Sequence, residues 1–85
     1  MEPEEMDLVE LLEDIAVQPG WRLKPEKAPA VLPAGARGMV VHASTANPRT
    51  CDVEFLDPET QEALVLATLS AQQLQVVERD TLGMP

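Results

Sequence analysis

Residues 34–56 read Ala-Gly-Ala-Arg-Gly-Met-Val-Val-His-Ala-Ser-Thr-Ala-Asn-Pro-Arg-Thr-Cys-Asp-Val-Glu-Phe-Leu, and the reading of this stretch decides the fold. Gly35 and Gly38 bracket a tight turn, residues 39–43 form an apolar run, and a polar Ser-Thr-Ala-Asn-Pro-Arg loop leads into strict alternation over residues 50–56. Period-2 alternation bounded by turn residues is the signature of a β-hairpin. Cys51, Val53 and Phe55 fall on one face of its second strand and Asp52, Glu54 and then Leu56 on the other, while Val40 or a neighbour points inward from the first.

Downstream, residues 57–62 (Asp-Pro-Glu-Thr-Gln-Glu) are a polar turn with proline at a favoured turn position. Residues 63–69 are almost continuously apolar, as a strand covered on both sides would be. A helix stays open there, because Ala and Leu favour it. Ser70 is a capping residue that opens a single helical turn through Gln73, and residues 74–77 read as a short last strand.

Upstream, residues 6–15 fit two periods. Leu8, Leu11, Leu12 and Ile15 lie at helical spacing, whereas Val9, Leu11 and Ile15 suit alternation with Glu10 and Asp14 outward. Residues 16–33 are irregular, with a Pro19-Gly20 turn signal and prolines at 25, 29 and 33. Proline cannot donate to a sheet ladder, so this stretch is expected as a long loop or edge segment. It carries Trp21 beside Arg22 and Lys24. Loops of such length without structure of their own are often functional. Trp21 either folds back to cap an open end of the core or stands out as an anchor for a partner.

The 85 residues make one domain, 45% hydrophobic but only 2% aromatic, so its single core is aliphatic. The net charge is −9, with seven acids and no base in residues 1–14. Residues 15–49 hold five bases against Glu26, and residues 50–85 seven acids against Arg79. Such a balance disfavours nucleic acid as a partner and suits solubility or a basic protein surface. One cysteine excludes an internal disulfide. No apolar run approaches the roughly 20 residues of a membrane span. The acidic start is unlike a signal peptide, so a cytoplasmic protein is expected, with no membrane partner.

The chemistry-bearing residues are few. One His and one Cys do not supply the ligand set of a structural zinc, and Asp52, Glu54 and Asp57 lack calcium-loop spacing. His42 is the one candidate base, with Ser44 two residues on, and is expected as a strand-end surface residue. Cys51 is expected to be a small buried hydrophobe. Gly35-x-x-Gly38 is too short for a phosphate loop and lacks its Lys-Ser/Thr sequel. No catalytic residues, no metal and no cofactor are expected. Docking of polyproline on an aromatic groove is also unsupported, with no tyrosine in the chain.

A first strand candidate, a long loop, three strands joined by short turns, one helical turn and a last strand make the order of elements of an SH3-like barrel. The blocks Asp-Leu-Val-Glu-Leu-Leu-Glu-Asp-Ile (7–15), Gly-Ala-Arg-Gly-Met-Val-Val (35–41), Asp-Val-Glu-Phe-Leu-Asp (52–57), Ala-Leu-Val-Leu-Ala-Thr-Leu (63–69) and Gln73-Leu74 resemble a small bacterial family known only as domain of unknown function 4926. The resemblance covers roughly residues 7–77 and implies an SH3-like barrel, a strand for the first block, and no assigned activity. Ala36 stands where that family carries an acid, and residues 16–34 exceed its loop, so the insertion is particular to this chain. The hairpin is also similar to the barrel domain of nitrile hydratase β subunits, a likeness of fold only.

The sequence therefore predicts an all-β fold, a small SH3-like barrel of about five strands over residues 7–77. It has a Pro-rich insertion loop at 16–34, a flexible acidic segment at 1–6 and a tail at 78–85. The expected function is non-catalytic: a protein–protein interaction module docking onto a larger protein through Trp21, Arg22 and Lys24, with a homo-oligomer possible. The alternatives are an inhibitor or immunity-type protein whose acidic ends cover a basic surface, and an accessory subunit of a nitrile hydratase-like metalloenzyme.

Overall fold

The computed structural model describes residues 2–79; most of the tail expected at 78–85 lies outside the described residues. The fold is all-β. Its strands are β1 (Leu8–Leu11), β2 (Ile15–Ala16), β3 (Val31–Leu32), β4 (Arg37–Ala43), β5 (Thr50–Leu56), β6 (Ala63–Ser70) and β7 (Leu74–Glu78). Single 3-10 turns sit at Pro19–Trp21 and Ala71–Gln73. Five strands form one antiparallel sheet in the order β6-β5-β4-β1-β7, and β2 pairs with β3 in a separate two-stranded sheet. Among the described residues, no helix is long and apolar enough to cross a membrane.

The hairpin read from residues 34–56 is present as β4 and β5, paired Met39 to Glu54 and Val40 to Val53. Gly35 takes φ +91°, which glycine adopts without the penalty a Cβ brings. Gly38 does a different task from the turn expected of it. It lies inside β4, where a Cβ would come within 2.7 Å of Val53 Cγ1 and 2.8 Å of the Glu54 carbonyl oxygen. A bulge between Val40 and His42 adds one residue to β4, so Val41 and His42 are both exposed while Val40 remains buried.

The competing periods of the first block resolve as strand. β1 alternates, with Val9 and Leu11 buried between β4 and β7. It ends at Leu11, and Ile15, the last residue of that block, begins β2; Ala16 and the whole of β3 lie within the expected insertion loop. That insertion is thus partly structured. Leu23 and Lys24 donate backbone hydrogen bonds to the Leu64 carbonyl at 2.9 and 3.4 Å, and Arg22 bridges to Val65, so the segment covers part of the edge of β6. Covering an edge strand removes a template for unwanted pairing.

The run at 63–69 departs from expectation in one respect: it is a strand covered on one face only. Val65, Ala67 and Leu69 are buried, but Leu66 and Thr68 are exposed. The core joins these residues to Val9, Leu11, Val40, Val53, Phe55 and Leu74, closed by Ile15 and by Val17 and Leu32 of the insertion. Each large aliphatic side chain contributes about 1.5–3 kcal/mol through its burial. Ser70 caps the second 3-10 turn: Gln72 N–H donates to its hydroxyl at 3.2 Å, and the Gln73 side chain accepts from the Ser70 N–H at 3.0 Å.

Residues 2–6, expected to be a flexible lead-in, lie against the sheet. Pro3 is buried, and Arg49 donates to its carbonyl at 3.2 Å while pairing with Glu2 and Glu4. Asp7 is 1% exposed and holds Arg79 at 2.9 Å and the Glu4 N–H at 2.8 Å. A buried carboxylate needs such partners to offset its desolvation.

Candidate functional site

Trp21, Arg22 and Lys24 follow one another through the insertion, and the fold gives each a structural task. Trp21 is half-buried and packs against the core, the cap described above as one of its two readings. The Arg22 Nε is shut from solvent without a hydrogen-bond partner among the described residues. Lys24 is exposed at 3.8 Å from Glu62, which also accepts from Lys27 at 2.8 Å. The Lys27 hydrogen bond holds the Glu62 carboxyl below its ordinary pKa, and Glu62 in turn raises that of Lys27. Together with the Leu64 backbone bonds, these ion pairs staple the insertion to the turn between β5 and β6.

Cys51, His42 and Ser44 each make separate contacts. Cys51 is buried, and desolvation pushes its thiol above the ordinary value, which favours the neutral hydrophobic form over a thiolate. His42 is exposed and its Nδ1 lies 3.9 Å from Asp52, whose other oxygen accepts the Thr68 hydroxyl at 2.8 Å. Ser44 Oγ instead accepts the Thr50 N–H at 3.0 Å, stabilising the hairpin loop. Among the described residues, no cluster of three or more His, Cys, Asp or Glu side chains could hold a metal ion.

A concave surface lies elsewhere among the described residues. A groove of about 360 Å³ opens between the insertion and the β5–β6 end of the sheet. Its walls include Pro29 and Leu32 on one side and Leu56, Pro58 and Leu64 on the other, over a floor of Phe55 and Val65. Arg37 is its one charged lining residue. A volume of this order accepts a small ligand or one to two side chains of a partner.

Arg37 and Leu56 also line a shallower dimple of about 160 Å³ on the outer face, with Leu8, Gly38, Met39 and Glu54. Strand register explains its make-up: Leu8 stands opposite Met39, Met39 opposite Glu54, and Glu54 opposite Leu66. This row crosses four strands on the solvent side. Groove and dimple therefore form one continuous, mainly apolar surface with the Glu54 carboxylate and the Arg37 guanidinium set into it.

Alternation puts Leu56 on this outward face with Asp52 and Glu54, but the expectation that the run at 63–69 is covered on both sides hides Leu66. Met39 and Leu66 join that face through strand pairing, each standing opposite Glu54. No family model matches the chain, and no curated protein or solved structure is significantly similar to it.

Proposed function

We propose that this chain is a non-catalytic interaction module, an SH3-like barrel that docks onto a larger protein through the outer face of its sheet and the adjoining groove. The strand order β6-β5-β4-β1-β7 supports the barrel reading and fits the resemblance to domain of unknown function 4926. The observation that carries the function is the apolar surface itself. Met39, Leu56 and Leu66 are 39, 42 and 37% exposed on neighbouring strands. Contiguous exposed apolar side chains rimmed by polar ones mark interaction sites. The docking surface is accordingly assigned to this face in preference to Trp21, Arg22 and Lys24. A cytoplasmic setting belongs to the same proposal and is supported by the lone, buried cysteine.

The test is cross-linking and native mass spectrometry of the complex formed in the source cell, with Leu56→Asp and Lys24→Ala compared with wild type. Docking through the face predicts loss of the complex in Leu56→Asp and retention in Lys24→Ala. A complex that ignores Leu56→Asp and dissolves with added salt overturns the proposal in favour of the acidic-ends inhibitor.

A further inference from the structure

We propose that the dimple beside Glu54 receives a lysine or arginine side chain of the docked protein, with a bulky apolar side chain of the same segment in the adjoining groove. This rests on the docking reading above and names the chemistry of its partner.

The charges around the dimple select the sign. Arg37 is paired: its Nε donates to Glu10 at 3.2 Å. Glu54 is not: no side chain hydrogen-bonds or ion-pairs with its carboxylate among the described residues. Its cross-strand neighbours are Met39 and Leu66, and Leu56 follows two residues along the same face. A half-buried carboxylate among apolar neighbours is less well hydrated than a free one and attracts a cation more strongly. The net charge of −9 adds long-range steering of a basic partner.

The shape selects the side chain. A dimple of about 160 Å³ walled by Leu8, Met39 and Leu56 suits a long methylene stem ending in a charge. Lysine and arginine bury such stems against apolar surface while the head reaches a polar group. The groove, apolar except for Arg37, suits a branched aliphatic or aromatic side chain. Because the two concavities share Arg37 and Leu56, the two partner side chains are close neighbours.

The experiment is selection of short random peptides on the purified full-length chain, followed by titration of the selected peptide monitored by amide NMR. The expected result is enrichment of Lys or Arg beside Leu, Ile, Phe or Trp, with shifts at Gly38, Met39, Glu54 and Leu56. Glu54→Gln then weakens binding about tenfold, the order for one close charge pair at an interface, with the thermal midpoint unchanged. Glu54→Lys turns the selection toward acidic peptides. Peptides that bind through Leu56 without a basic residue, or that ignore Glu54→Gln, overturn the inference and leave the docking reading standing. A selection that enriches nothing also overturns it, and docking is then judged by the effect of Leu56→Asp on the native complex.

Discussion

Val65 and Leu66 are adjacent in β6, yet Val65 is wholly buried and Leu66 more than a third exposed. The same contrast separates Val53 on β5 from Leu56, and Val40 on β4 from Met39. Both faces of the sheet are rich in aliphatic side chains, but only the inner one is covered. Apolar character therefore reports two different things in one strand: on the inner face it holds the fold, and on the outer face it stays exposed to solvent.

The contrast can be broken by substitution. Leu11→Ala, on the inner side, is expected to cost about 2–5 kcal/mol, read from the denaturant midpoint. Gly38→Ala follows at about 1–3 kcal/mol, because its Cβ meets the Glu54 carbonyl as well as the Val53 side chain. That change also displaces β4 against β5, visible as NMR shifts around Met39 and Glu54. Leu66→Thr, one residue from a fully buried position, is expected to change stability by less than about 0.5 kcal/mol. A loss comparable with that of Leu11→Ala would show that the outer face is also part of the core.

The smallest effect belongs to the insertion staple. Glu62 has a lowered pKa, so its contribution is present above the ordinary 4.5 and is lost as pH falls below it through the lowered value. Lys27 is raised, so its share is present below 10.5 and lost as pH rises above that through the raised value. Hydrogen exchange at the Leu23 and Lys24 amides should quicken below about pH 4 relative to the intrinsic rate, while exchange at Val53 does not. Equal quickening at both sites would mean that the insertion and the sheet open as one unit.

Much of the fold was legible in the sequence. Alternation over residues 50–56 and the apolar run at 39–43 gave the hairpin, and Ser70 with Gln73 gave the capped turn before β7. The first block ended earlier than its hydrophobic pattern implied, since the chain leaves β1 after Leu11 and starts another strand at Ile15. Two-residue strands such as β2 and β3 are too short for any period to register. The outer face was hidden for another reason. A continuous apolar run has the same composition whether one side or both are covered, so Leu66 could be placed only once its neighbours were known.

Glu2 and Arg79 meet directly, the Arg79 guanidinium donating to the Glu2 carbonyl at 2.8 Å, with Asp7 joined to the same group. The way into the domain and the way out thus lie side by side. A unit built like this can be spliced into a surface loop of a host protein with little spreading of the loop's two stems.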